Sequence, residues 1–169
     1  MQIEIEGLRE LKADFDKAIK NADKGAMKGL QEVGLEIVAE AKRNLIVNRT
    51  NNTRALSSSG KVQMDKGGVD VGFFSEGSKG GYAAAVEYGR GPTEKPSEDG
   101  ITLQQSLRAW VHRKLGVPNG KELDSATFLI SRKIHRKGTK PQPFFVPAVK
   151  KFEDRISDVV SKFVGEALK

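Results

Sequence analysis

Met27-Lys28-Gly29-Leu30-Gln31-Glu32-Val33-Gly34-Leu35-Glu36-Ile37-Val38-Ala39-Glu40-Ala41-Lys42-Arg43-Asn44-Leu45 repeats apolar residues every three or four positions. Met27, Leu30, Val33, Ile37, Val38, Ala41 and Leu45 therefore fall on one face of a helix of about five turns. Gly25, Gly29 and Gly34 each weaken such a helix by about 1 kcal/mol relative to Ala, so packing has to hold it together. A close neighbour is expected at Gly29 and Gly34. Upstream, Leu8, Leu11, Phe15, Ala18, Ile19 and Ala22 show the same spacing. With Asp23 read as a cap, this makes two successive N-terminal helices behind a short strand at Gln2 to Glu6.

Downstream the period changes. Asn48 to Thr53 is a run of turn formers without apolar periodicity and reads as a loop. Val62 and Met64 then alternate with polar residues, Gly67-Gly68 offers a tight turn, and Val69, Val71 and Phe73 alternate again, which is a β-hairpin with one apolar face. Tyr82-Ala83-Ala84-Ala85-Val86-Glu87-Tyr88 is short and apolar, a third strand or a short helix; strand is the reading adopted. Gly89 to Gly100 reads as a long surface loop. Two shorter helices follow, one on Leu103, Leu107, Trp110, Val111 and Leu115, the other on Leu123, Ala126, Leu129, Ile130 and Ile134. After Pro143-Phe144-Phe145-Val146-Pro147 comes an amphipathic terminal helix with Val149, Phe152, Ile156, Val159, Val160, Phe163 and Val164 on one stripe, and Pro147 is placed as its first residue. The fold class is α+β: a long N-terminal helical region, a small antiparallel sheet built on the hairpin, a helical insertion at about 101–137 and a C-terminal amphipathic helix, all within a single domain of residues 1–169.

Composition narrows the function. The 169 residues contain no cysteine, which removes disulfides, thiolate metal sites and a thiol nucleophile. Glu4, Glu6, Glu10, Asp14 and Asp16 interrupt any leader-like apolar block near the start, and no apolar run is long enough to span a membrane. Only His112 and His135 could serve as histidine bases, and both sit among Arg and Lys. Ser57-Ser58-Ser59 lacks the Gly-x-Ser-x-Gly frame of an exposed nucleophile and reads as local backbone capping. No phosphate loop, dinucleotide fingerprint, calcium loop or clustered carboxylates occur. The expectation is a protein without catalytic residues, metal or cofactor.

A net charge of +7 from 29 Lys and Arg against 22 Asp and Glu suits either plain solubility or attraction to polyanions. Arg132-Lys133-Ile134-His135-Arg136-Lys137, continued by Lys140, is the densest run. It reads either as a solvated helix end that complements the dipole or as a contact for DNA phosphate or an acidic partner.

Three segments in order, Thr53-Arg54-Ala55-Leu56-Ser57-Ser58-Ser59, Tyr82-Ala83-Ala84-Ala85-Val86-Glu87-Tyr88-Gly89 and Lys140-Pro141-Gln142-Pro143-Phe144-Phe145-Val146-Pro147-Ala148, resemble the small tail-component family of long-tailed bacteriophages and prophages. Members of that family show Thr-Gly-x-Leu-Arg-x-Ser, Tyr-Ala-x-x-Val-Glu-Tyr-Gly and Pro-Phe-Leu-x-Pro-Ala segments in this order. Asn52-Thr53-Arg54-Ala55 departs from the Thr-Gly start, and Phe145 stands where leucine is common. The resemblance implies an α+β fold without catalysis, in a virion protein of the neck or head-proximal tail assembled in the host cytoplasm. It further implies a homo-oligomeric ring, sixfold in the particle, around the DNA path, with neighbouring neck and tail proteins as partners; non-specific contact with DNA is an expectation of the positive charge instead.

Glu87, a carboxylate between Val86 and Tyr88, either points to solvent or needs a buried partner, for which Arg54 is the candidate. Phe144 and Phe145 read as a core plug for the last helix or as an anchor into a neighbouring subunit. The candidate partner-binding residues are thus Arg54, Glu87, Tyr88 and Phe144 with the cations Arg132, Lys133, Arg136 and Lys137.

Overall fold

A computed structural model describes residues 7–48, 55–65, 67–74, 81–92 and 103–169. The N-terminal region is one helix, α1 (Leu8–Val47), rather than two. Asp23 is exposed within it, since nothing in Ala22-Asp23-Lys24 breaks a helix and the glycines that follow are braced from outside. After the short α2 (Ala55–Ser58), β1 (Gly60–Asp65) pairs antiparallel with β2 (Gly68–Phe73), with Val62 opposite Val71 and Asp65 opposite Gly68. Gly68 therefore belongs to the strand rather than to the turn. Residues 82–88 are not a strand: α3 (Gly81–Tyr88) is a helix, so the sheet described has two strands.

Two helices, α4 (Leu103–Leu115) and α5 (Lys121–Lys137), form an antiparallel pair around the 116–120 connection. The chain then runs through α6 (Phe145–Phe152), a 3-10 turn at Glu153–Arg155 and α7 (Ile156–Ala167), so the terminal helix is interrupted once. Pro147 is the third residue of α6, not the first. The expected strand at 2–6, and the loop residues 49–53 and 93–100, lie outside the described residues.

The core lies where α6 and the hairpin meet the C-terminal half of α1. Val33, Ile37, Ala41 and Leu45 of α1 pack on Leu56, Phe144, Ala148 and Phe152, with Val71, Phe73, Ala83 and Val86 against them. Phe73 meets Phe144 edge to face at 4.9 Å and Phe145 at 5.9 Å. The helix α7 runs antiparallel along α1 toward its N-terminus. A Cβ on Gly29 would come within 2.9 Å of Val160 Cα, and one on Gly25 within 2.7 Å of the Phe163 carbonyl oxygen. These glycines let the two backbones touch, which offsets their poor helix propensity. At Gly34 the neighbour is the hairpin, since a Cβ there would stand 2.9 Å from Val71 Cγ2.

Candidate functional site

The most constrained polar group is Glu87, which is buried at 6% exposure near the end of α3. Its Oε2 accepts hydrogen bonds from the backbone N–H groups of Phe144 (2.8 Å) and Phe145 (2.9 Å), and its Oε1 from that of Val146 (3.0 Å). These residues open α6, whose N-cap position is occupied by Phe144, a side chain with no acceptor of its own. The next residue is Pro147, which has no N–H. One carboxylate delivered from a distant helix thus satisfies every free donor of the first turn and places negative charge at the positive end of the α6 dipole. The partner of Glu87 is this helix start. Arg54, the expected partner, lies outside the described residues.

The segment that enters α6 is clamped from the other side as well. Asn44 Nδ2 donates to the Phe144 carbonyl at 2.9 Å, Asn48 Nδ2 to that of Pro143 at 3.1 Å, and Gln142 N–H to that of Val86 at 2.8 Å. The second and third family-like segments and the end of α1 therefore converge here, and Leu56 of the first packs in the same core cluster as Phe144. Phe144 is 1% exposed there and serves as the core plug, while Tyr88 points outward at 72% exposure.

Farther along α6, Glu40 of α1 binds Lys151 Nζ at 2.7 Å and Arg43 at 2.6 Å. The Lys151 hydrogen bond, opposed by partial burial and helped by the charges of Lys151 and Arg43, holds the Glu40 carboxyl below its ordinary value of 4.5. Glu36 meets Arg155 at 3.6 Å, and both Lys151 and Arg155 lie over the Phe152 ring.

The remaining candidates lie elsewhere. Arg132, Lys133, Arg136 and Lys137 occupy the exposed side of α5, opposite the buried Leu123, Thr127 and Ser131. His112 at the end of α4 donates from Nδ1 to the Val117 carbonyl at 2.8 Å, and His135 is half-buried on α5. Among the described residues, no three carboxylates or histidines come together as a metal site. The sequence reading did not single out a further feature: Leu8, Leu11, Phe15 and Ile19 of α1 are 53–61% exposed. Their spacing was legible, but nothing in it said that the stripe would be left uncovered.

The region that holds α1, the hairpin and α3 carries the family signal: residues 9–89 match the family described as Bacteriophage HK97-gp10, putative tail-component. Over this region the chain is HK97-gp10-like. The family is one of phage tail components, so the resemblance read from the sequence is borne out over residues 9–89. The third family-like segment, which supplies the α6 end of the Glu87 contact, lies beyond the match, as do α4 and α5. No curated protein and no solved structure matches the chain.

Proposed function

We propose that this HK97-gp10-like protein is a structural subunit of a tailed-phage particle that acts by assembly rather than catalysis. It completes the neck or the head-proximal tail as a sixfold homo-oligomeric ring around the DNA path, assembled in the host cytoplasm and retained in the virion. The family match supports a tail component. The observation that carries self-assembly is the apolar stripe at the free end of α1. Leu8, Phe15, Ala22 and Gly29 follow one another at seven-residue steps, as do Leu11, Ala18 and Gly25, so the stripe is the same face that α7 covers from Gly25 onward. The helix α7 ends at Ala167, beside Gly25. Among the described residues nothing continues over the next 15 or so residues of α1, about 22 Å of helix.

An exposed stripe of large apolar side chains on a rigid helix marks a docking surface. A ring requires each subunit to offer two different complementary patches, and the free half of α1 is suited to be one of them. The residue Phe144 is packed inside its own subunit, which turns attention from it to this stripe and to Tyr88. The test is to image particles assembled with and without the protein and to count its copies. A six-copy ring at the neck is the expected result. Complete, infectious particles without it, or single copies bound along DNA, would overturn the reading.

A further inference from the structure

The charge of this protein is not spread over it. Residues 103–140 carry nine Lys and Arg against Glu122 and Asp124, an excess of seven, which equals the net charge of the whole chain. The rest of the chain balances at 20 against 20. Between Asp124 and Glu153 there is no acidic residue. Elsewhere acidic residues are interspersed with the cations, and some are paired, as Arg43 and Lys151 are with Glu40 and Arg155 is with Glu36. On the arm, Arg108 pairs with Asp124. Arg132, Lys133, Arg136, Lys137 and Lys140 form no ion pair among the described residues.

The fold sets this charge apart. The helices α4 and α5 pack chiefly on each other, around Val111, Leu123 and Thr127, which do not belong to the main core. The arm is pinched off at its base by the paired backbones of Arg90 and Thr139, bonded in both directions at 3.2 and 2.8 Å. Gly138 at φ 72° sits in that pinch, where a Cβ would overlap the Arg90 carbonyl oxygen.

We infer that the α4–α5 arm is a polyanion-binding module, with the phosphate backbone of double-stranded DNA as its partner. Arg132 with Arg136, and Lys133 with Lys137, form two adjacent rows on the solvent side of α5, the members of each row one turn apart, with Lys140 just beyond. Such rows face a lattice of one negative charge per about 1.7 Å of duplex axis wherever they land, which gives binding without sequence preference. An acidic protein surface would have to match an uninterrupted cationic face with an equally uninterrupted anionic one. Phe128 and Leu129, 54% and 61% exposed one turn before Arg132 and Lys133, are the apolar anchors a protein partner would use instead, and tighter binding to an acidic polypeptide than to the duplex would reveal one. The inference stands apart from the ring: it concerns a segment outside the family match and does not require oligomers.

The experiment uses the full chain and a random-sequence duplex of about 30 base pairs, with affinity measured by fluorescence anisotropy across salt concentrations. If about five phosphates are neutralised, affinity falls about 500-fold between about 50 and about 200 mM salt. Replacing Arg132, Lys133, Arg136 and Lys137 together by Gln removes most of the binding and flattens that slope to about one ion. Replacing Lys12, Lys17, Lys20 and Lys24 of α1 by Gln lowers the net charge equally and leaves most of the binding. The double variant Arg136→Gln with Lys137→Gln, expected to lose about two ions of slope, serves if the quadruple one does not fold. Equal loss in the arm and α1 variants, no binding at low salt, or tighter binding to an acidic polypeptide than to the duplex would overturn the inference.

Discussion

Glu87 shows how one side chain can organize a junction that three separate stretches of sequence share. Its carboxylate replaces the cap that Phe144 cannot provide, and the donors it satisfies belong to a buried residue and two half-buried ones. Glu87→Ala is expected to destabilize the fold by about 3 kcal/mol, more than an ordinary surface substitution, because Phe144 N–H is left buried without an acceptor. Glu87→Gln keeps one carbonyl oxygen but turns an NH₂ toward a donor, so its loss should fall between that of Ala and zero. Urea midpoints test both, and a Glu87→Ala midpoint equal to wild type would mean that water replaces the carboxylate at no cost. At Glu40 the prediction concerns pH. Its folded-state pKa lies below the ordinary 4.5, so its stabilizing contribution is present above that value and is lost as pH falls through the folded value. The stability gap between wild type and Glu40→Gln should therefore narrow in acid, and a gap that widens would contradict the Lys151 contact. The sequence left Glu87 either facing solvent or in need of a partner, with Arg54 the side chain to suggest itself, because backbone N–H groups are invisible in a sequence. The usable sign was Pro147 behind a Phe at the start of a helix, an arrangement that must borrow its cap.

At the scale of elements, the misread segments have specific causes. Residues 82–88 contain three alanines and one β-branched residue, and Ala83, Val86 and Glu87, which turn inward, have the three-and-four spacing of a helix. Helix propensity thus outweighed the shortness and apolar character that suggested a strand. The N-terminal helices merge because Asp23, a good cap residue, does not end a helix whose neighbours Ala22 and Lys24 favour continuing it and whose following turns are packed from Gly25 onward. The glycines of α1 were read as weak points and as gaps for a neighbour; the second reading is what makes the first tolerable. Gly29→Val should push α7 away from α1 and cost about 2 kcal/mol, seen as a melting temperature lowered by about 4 to 8 °C. Gly67, whose added Cβ would meet nothing within 4 Å, is the control, and equal effects at the two positions would remove close helix contact as the explanation. The hairpin, apart from Gly68, and the apolar stripe of the terminal helix were legible because each depends on local periodicity alone; the α4 and α5 helices were legible too, but not their buried face, where Leu115 and Leu129 are exposed and Thr127 and Ser131 are buried.

For the whole molecule, the informative contrast is between the two halves of α1. The C-terminal half is buried by α6, α7 and the hairpin, whereas the N-terminal half presents the same apolar face to solvent. Burial determines how a substitution acts. Phe15 is 61% exposed and Leu11 54% exposed, so Leu11→Glu with Phe15→Glu removes little packing from the subunit, and the melting temperature should hold within about 2 °C. If the stripe is a subunit interface, the same pair places two carboxylates where apolar side chains must meet, and desolvating them costs several kcal/mol per contact. Because a ring repeats that contact at every interface, assembly should be abolished rather than weakened. The measurement is complementation: particles made with the double variant as the only source of the protein should lack it and fail to mature, while the purified variant melts as wild type does. A variant that is incorporated normally would show that the stripe faces solvent in the virion too, and the search for the interface would then move to Tyr88 and the ends of α1 and α3 around it.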